Sequence, residues 1–178
     1  MPAPWPRGYV QVYTGTGKGK TTAAIGLAVR AAGHGLRSYI GQFLKTPTSG
    51  EHEALKRFDD LIAVETFGSG TFLIPGATLD PAEVARARDG LARARAAMLS
   101  GHYQIMILDE VNVAVDFGLL SVDDVLALIR AKPEPVELVL TGNGAHHAVI
   151  DAADLVSDVR AIKHYFERGV NARDGIEK

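Results

Sequence analysis

Residues 13–24 read YTGTGKGKTTAA, a stretch that combines three glycines with two lysines, Lys18 and Lys20. The β-branched and aromatic segment 9–14 leads into it and predicts a strand, and an alanine-rich segment follows it and predicts a helix. A glycine-rich turn between a strand and a helix points several backbone N–H groups at one position, where the helix N-terminus adds partial positive charge. The stretch therefore predicts a phosphate-binding loop.

The loop differs at one position from the usual pattern G-x-x-x-x-G-K-[ST]. Thr14 stands where the pattern has its first glycine. Lys20 supplies a mobile positive charge and Thr21 a hydroxyl for Mg²⁺, so we assign both a catalytic role. Lys18 fits a phosphate contact and, equally well, a solvated loop lysine. The predicted nucleotide-binding residues of the loop are Gly15, Thr16, Gly17, Lys18, Gly19, Lys20, Thr21 and Thr22.

A near-continuous apolar run, 103–110, ends in two acids, Asp109 and Glu110. Such runs fit strands that are buried on both faces. A carboxylate at the end of such a strand can hold the metal of a bound nucleotide, although either acid alone could instead cap a following turn. Together with the loop, the pair predicts a site for ATP with Mg²⁺ or Mn²⁺, in which Thr21, Asp109 and Glu110 are the metal ligands.

Strand-like and helix-like segments alternate along the chain, which predicts an α/β fold with a mostly parallel sheet flanked by helices, the RecA-like architecture of P-loop NTPases. We expect residues 1–7, with three prolines, to form an extended arm, and residues 8–178 to form a single nucleotide-binding catalytic domain. The predicted strands are 9–14, 38–44, 61–67, 103–110 and 136–142, with a last strand within 154–166.

Composition excludes several classes of function. The chain has no cysteine, which removes disulfides, thiolate metal sites and cysteine nucleophiles. A formal net charge of −2 gives no global basic field for nucleic acid. No apolar run approaches the roughly 18 residues of a membrane-spanning helix, and the first residues lack the apolar core of a secretory signal. We therefore expect a cytoplasmic protein that binds small molecules rather than nucleic acid or membranes.

Five segments along the chain carry a more specific pattern than the loop alone. They are VYTGTGKGKTTAAIGLAVRAAGHG (12–35), GQFLK (41–45), LDEVNVAVDFGLL (108–120), VELVLTGNG (136–144) and ADLVSDVRAIKHYFERGVNARDGIE (153–177). Together they resemble the ATP:corrinoid adenosyltransferases of the cobalamin pathway, from about Gly8 to Glu177. The loop variant with Thr14 is typical of that family, as is the ending KH-x-F-x-x-G-V-x-A-x-x-G-I at 163–176.

The resemblance implies a reaction, in which a reduced cobalt(I) corrinoid attacks the 5′ carbon of ATP and triphosphate leaves, in adenosylcobalamin biosynthesis or salvage. Because cobalt(I) is itself a strong nucleophile, such an enzyme needs no general base and relies on positioning and electrostatics. The resemblance also implies ATP held in reversed orientation, a homodimer, and a reductase or flavoprotein as electron donor. Arg30 matches a family position near the nucleotide, and a solvated helix arginine explains it equally well.

Two stretches depart from the family pattern. Many relatives carry Gly-Phe-Thr-Trp after the third strand, where the aromatic rings shield the lower face of the corrinoid, and this chain has Gly-Thr-Phe-Leu at 70–73. We assign Phe72 and Leu73 to the corrinoid site, although a loosely packed loop would also explain the stretch. Asn143 stands where relatives often have arginine. These changes bear on efficiency and exact substrate more than on the reaction class.

Two other functions share such a loop. A small-molecule kinase usually needs an arginine-rich lid, and the arginines between 86 and 95 alternate around a predicted helix instead of converging. A non-catalytic, ATP-dependent interaction protein could use the irregular segment 68–79 as its switch. The products of ATP consumption distinguish these functions from adenosyl transfer.

Overall fold

The computed structural model describes residues 4–70 and 78–177. Within those ranges the strands are β1 Val10–Thr14, β2 Ser38–Phe43, β3 Ile62–Phe67, β4 Ile105–Asp109, β5 Glu137–Thr141 and β6 Leu155–Asp158. They form one sheet in the order β3-β2-β4-β5-β1-β6, and every pairing is parallel. The predicted α/β fold with a parallel sheet is confirmed.

Helices cover both faces of this sheet, as the near-continuous apolar strands require. On one face, the alanines of α1 pack against Ile40, Ile107 and Val139. On the other face, α3, α4 and α5 enclose Phe43 and Leu108. In the described part of the chain the helices are α1 Lys20–Ala32, α2 Gly50–Leu55, α3 Pro81–Leu99, α4 Val111–Asp116, α5 Val122–Ala131 and α6 His147–Asp151, with 3₁₀ turns at Lys56–Phe58 and Tyr165–Arg168.

The short helix α4 was not predicted from the sequence. Three of its six residues are valines, whose β-branched side chains lower helix propensity. It begins after Glu110, whose φ of 61° turns the chain sharply as it leaves β4. The helix forms because Val111 and Ala114 are fully buried against the sheet. Tertiary packing therefore outweighs the local preference.

Residues 4–7, expected to be part of an extended arm, contact the body of the protein. The indole Nε1 of Trp5 donates to the carbonyl oxygen of Pro135 at 2.9 Å, and Arg7 lies 3.7 Å from Asp154. The division into an arm and a single domain stays a prediction. No helix among the described residues has the length and apolarity needed to cross a bilayer.

Candidate active site

A cleft of about 840 Å³ opens at the edge of the sheet where the parallel strands end. Crevices at the carboxyl ends of parallel strands are the usual ligand sites of open α/β sheets, and this volume falls in the range of small-molecule sites. The residues around the cleft come from the loop after β1, the segment after β2, the end of β4 and the C-terminal segment. They include 17–22, 44–46, 48–51, Gly70, Glu110 and 175–177.

The loop between β1 and α1 has the form that the glycines predict. Gly15 and Gly19 have φ values of 99° and 119°, which disfavour other residues. A Cβ on Gly17 would lie 2.8 Å from the backbone carbonyl carbon of Arg160, so the segment after β6 also requires a glycine there. Gly19, the N-cap residue of α1, has no side chain with which to cap the helix, so it leaves the first N–H groups of α1 available to a ligand.

The two loop lysines both contact backbone carbonyls. The Lys20 ammonium donates to the carbonyl oxygens of Gly15 at 2.7 Å and Gly17 at 2.8 Å. Lys18 is exposed, and its ammonium donates to the carbonyl oxygen of Ile176 at 2.7 Å. The sequence left two interpretations of Lys18, a phosphate contact and a solvated loop lysine, and neither anticipated this contact. The contact links the loop to the C-terminal segment.

Asp109 is the centre of a buried hydrogen-bond network, with only 1% of its surface exposed. Its Oδ1 accepts from the hydroxyls of Thr21 at 2.9 Å and Thr141 at 2.6 Å. Its Oδ2 accepts from the amide of Gln42 at 3.0 Å and the ammonium of Lys45 at 2.8 Å. Burial alone would raise the pKa of Asp109, but Lys45 and the hydrogen-bond donors outweigh it and lower that pKa. The carboxylate is therefore charged at neutral pH.

Glu110 lies beside this network and borders the cleft. Its backbone N–H donates to the Thr141 hydroxyl at 3.1 Å, and its side chain makes no capping bond to α4. Burial, followed by the charge of Asp109, raises the pKa of Glu110. Because the Glu110 side chain makes no capping bond, the alternative in which it caps the following turn is wrong.

Three members of the Asp109 network were missed by sequence reasoning, namely Gln42, Lys45 and Thr141. Each lies at or near the carboxyl end of a strand that neighbours β4, so the topology brings them to the same edge. The segments GQFLK and VELVLTGNG contain them, yet the sequence indicated only strands and a family resemblance there, and no site residues. The strand order is what turns these segments into parts of one site.

Several predicted site residues lie away from this centre. Arg30 lies in the last turn of α1, roughly 15 Å along the helix axis from Lys20, and is exposed. The structure does not bring it to the cleft, so its nucleotide contact stays a prediction. Thr16 is exposed within the loop, and Thr22 borders the cleft. Phe72 and Leu73 lie outside the described residues.

The metal prediction has partial geometric support. Thr21 and Asp109 are in direct contact, and Glu110 follows Asp109 in the chain. Among residues 4–70 and 78–177, no group of three or more histidine and acidic side chains could hold a metal by itself. Phosphate oxygens would have to complete the coordination, as is common for Mg²⁺.

Comparison with known proteins decides between the functions that this site allows. The sequence profile of the family described as "ATP:corrinoid adenosyltransferase BtuR/CobO/CobP" matches residues 6–177. The chain belongs to this family. Membership makes this corrinoid adenosyltransferase homologue a transferase, and it favours neither the kinase nor the non-catalytic interaction protein.

Individual corrinoid adenosyltransferases are similar to the chain over nearly its whole length. The enzyme of Pseudomonas aeruginosa is 35% identical over 173 residues, which cover 96% of this chain and 84% of that protein. The corrinoid adenosyltransferase CobA of Salmonella typhimurium is 36% identical over 172 residues, covering 96% and 86%. The corrinoid adenosyltransferase of Escherichia coli K12 is 33% identical over 176 residues, again covering 96% and 86%.

A solved structure supports the architecture independently. The crystal structure of a KaiC-like protein from Pyrococcus horikoshii superposes with a TM-score of 0.56 and covers 86% of this chain and 74% of its own. Its sequence identity is 16%, so the similarity concerns the fold alone. The corrinoid adenosyltransferase chain thus has the RecA-like arrangement expected of a P-loop NTPase.

Proposed function

We propose that the chain transfers the 5′-deoxyadenosyl group of ATP to the cobalt(I) of a reduced corrinoid and releases triphosphate. Cobalt supplies the electron pair of the new cobalt–carbon bond, and the breaking C5′–O bond leaves its pair on the triphosphate. The observation that carries the proposal is the glycine-rich loop beside the charged Asp109, in a chain whose family match spans residues 6–177. No protein base is required, because no proton is transferred in this step.

The loop supplies the binding site for the triphosphate in this proposal. Backbone N–H groups between Gly15 and Thr22 and the N-terminus of α1 offer donors to phosphate oxygens, except for the N–H of Gly17, which donates to the carbonyl oxygen of Val159 at 2.7 Å. Lys20 would exchange its two carbonyl contacts for the triphosphate, and Lys18 would add a second positive charge. These groups stabilise the negative charge that the leaving group gains as the C5′–O bond breaks.

The donor set beside the loop suits Mg²⁺, which prefers oxygen ligands. The hydroxyl of Thr21 and the carboxylate of Asp109 lie 2.9 Å apart, and the Glu110 carboxyl borders the same cleft. We propose that these three residues hold Mg²⁺ or Mn²⁺ directly or through water. When bound, the metal supplies positive charge to the triphosphate, while the chain's own residues orient the nucleotide.

Phe72 and Leu73 remain the proposed corrinoid contacts. They belong to the segment that follows Gly70, and Gly70 borders the cleft. Apolar side chains there would exclude water and leave the lower face of cobalt without a ligand, which makes reduction to cobalt(I) easier. The homodimer, the reductase or flavoprotein donor and the cytoplasmic location are further parts of the proposal, supported by the family resemblance and the composition.

One experiment tests the reaction. The protein is incubated anaerobically with ATP, Mg²⁺ and chemically reduced cobalamin, and the absorption spectrum is followed while phosphate products are separated. Equal amounts of adenosylated corrinoid and inorganic triphosphate support the proposal. Formation of ADP would indicate a kinase, and an absence of ATP consumption with and without corrinoid would indicate a pure binding protein.

A further inference from the structure

Lys45 is the cationic side chain that follows β2 and faces the cleft. Its ammonium lies 2.8 Å from Asp109 Oδ2, 3.4 Å from the Thr21 hydroxyl and 3.8 Å from Glu51 Oε1. The side chain is 25% exposed, whereas Asp109 is almost fully buried. Lys45 therefore contacts from the solvent side both Thr21 and Asp109, which we propose as metal ligands.

The backbone around Lys45 is held in an unusual conformation. Leu44 has a φ of 63°, a left-handed value that costs energy for a residue with a branched side chain. Gly68, which follows β3, donates its N–H to the Lys45 carbonyl oxygen at 3.1 Å. A Cβ on Gly68 would lie 2.4 Å from the carbonyl carbon of Leu44, so only glycine allows this approach. The neighbouring turn thus fixes the position from which Lys45 enters the cleft.

Lys45 also completes the hydrogen bonding of Asp109. A carboxylate has about four acceptor positions, and Thr21, Thr141, Gln42 and Lys45 use four. Thr141 and Gln42 are buried and belong to the sheet, whereas Lys45 is a flexible side chain on the cleft side. A cation that binds to Thr21 and Asp109 must therefore replace the Lys45 ammonium before any other partner.

We propose that Lys45 occupies the metal-binding oxygens before the nucleotide binds and moves onto the triphosphate when a divalent cation takes its place. This inference rests on the proposed function, since it needs triphosphate and metal in the cleft. Lys45 then has two opposite effects on ligand binding. The ammonium competes with a metal that arrives alone, and it contributes a charge-assisted contact once triphosphate is present. Lys45 thereby makes metal binding depend on the nucleotide.

The test measures both effects on Lys45→Met, which keeps an unbranched side chain, one atom shorter, and removes its charge. Mn²⁺ binding to the nucleotide-free protein is measured by electron paramagnetic resonance, and binding of inorganic triphosphate with Mn²⁺ present is measured by calorimetry. We expect Mn²⁺ alone to bind the variant roughly 10-fold more tightly and triphosphate to bind it roughly 10-fold more weakly, the scale of one charged hydrogen bond. The matched control is Lys56→Met, whose lysine is exposed and pairs with Glu53 at 2.6 Å outside the cleft.

Opposite shifts in the two affinities would support the inference. Unchanged affinities, or a change of both in the same direction, would overturn it, because the loss of a purely structural lysine would not strengthen metal binding while it weakens triphosphate binding. Lys45→Gln provides a second variant with a polar side chain if the Met variant loses its far-ultraviolet circular dichroism spectrum. A wild-type protein that binds neither ATP nor triphosphate would refute the proposed function itself, and that result is distinguishable from a failure of Lys45 alone.

Discussion

Two lysines at opposite edges of the sheet use their ammonium groups in the same way. At the carboxyl edge, Lys20 donates to two backbone carbonyls of its own loop, at 2.7 and 2.8 Å. At the amino edge, Lys132 contacts the carbonyl oxygens of Gly8 at 2.9 Å and Val136 at 2.8 Å, with Pro133 at 3.2 Å and Glu134 at 3.4 Å. Only the first lysine borders the cleft described above.

The two lysines differ in that Lys20 is a proposed binding contact, whereas Lys132 is a structural one. Lys132 joins the residues that precede β1 and β5, two paired strands, and burial lowers its pKa. Lys20 joins residues within one loop, next to free N–H groups of α1 and to a buried carboxylate. A parallel sheet places the carboxyl ends of all its strands at one edge and their amino ends at the other. A charged side chain at the carboxyl edge can therefore contact a ligand, while the same kind of contact at the amino edge stabilises the fold.

The largest expected effect comes from Lys20→Ala. The variant should bind ATP and triphosphate roughly 10- to 150-fold more weakly, because a charge-assisted contact contributes about 1.5–3 kcal/mol. Its unfolding free energy should change much less than that of a Lys132 variant. Calorimetric titration with triphosphate measures the first quantity, and an unchanged affinity would contradict the assignment of the loop.

Lys132→Met should show the converse pattern. The backbone carbonyls at the amino edge lose a charged donor, so we expect the unfolding free energy to fall by about 1–2 kcal/mol. Affinity for triphosphate should equal that of the wild type, since the cleft lies at the opposite edge. Urea denaturation combined with the same titration checks both expectations, and a parallel loss of affinity would show that the two edges are coupled.

Glu110→Gln tests whether the site is built at the expense of stability. The pKa of Glu110 in the folded protein is raised above the ordinary 4.5. Between pH 4.5 and this folded pKa, the folded protein therefore binds more protons than the unfolded chain. Its contribution to stability is present below pH 4.5 and is lost as pH rises through the folded pKa. The variant should therefore be more stable than wild type at pH 7 and should lose this advantage in acid.

The same variant should lower metal-dependent turnover, because it removes a proposed ligand. Denaturation midpoints at pH 4 and pH 7 and the adenosylation rate at pH 7 provide the measurement. A variant that is less stable than wild type at pH 7 would mean that the Glu110 carboxylate stabilises the fold.

Lys18→Ala is expected to have the smallest effect. The lysine is exposed, and contacts of exposed charges contribute about 0.2–1 kcal/mol. Triphosphate affinity should fall by no more than roughly five-fold. A loss as large as that of Lys20→Ala would place Lys18 among the principal phosphate contacts.

Local sequence patterns predicted the strands and the loop, because apolar runs and glycine positions can be read from neighbouring residues alone. Apolar runs such as 103–110 produce buried strands wherever they occur, and Gly-Lys-Thr after a strand has few other uses. Only Asp109 and Thr21 of the Asp109 network were predicted. Gln42, Lys45 and Thr141 carry no local signal, and they reach Asp109 only because β2 and β5 are the neighbours of β4.

The omission of helix α4 has a physical cause as well. Helix α4 was missed because burial, not propensity, forms it. The expected contact of Arg30 with the nucleotide came from a family position and stays a prediction, and Arg30 lies far along α1 from the loop. Distances along a helix are fixed by its rise per residue, so such an expectation can be checked as soon as the helix bounds are known.

The position of β1 in the sheet has a consequence for the synthesis of the protein. Within the described residues, β1 pairs only with β5 and β6, which come from the last third of the chain. While a ribosome is still making the first 136 residues, the strand that leads into the phosphate loop has no neighbour to pair with. Nucleotide capture is therefore a late event in the life of the nascent chain, and a prematurely terminated product would not sequester ATP.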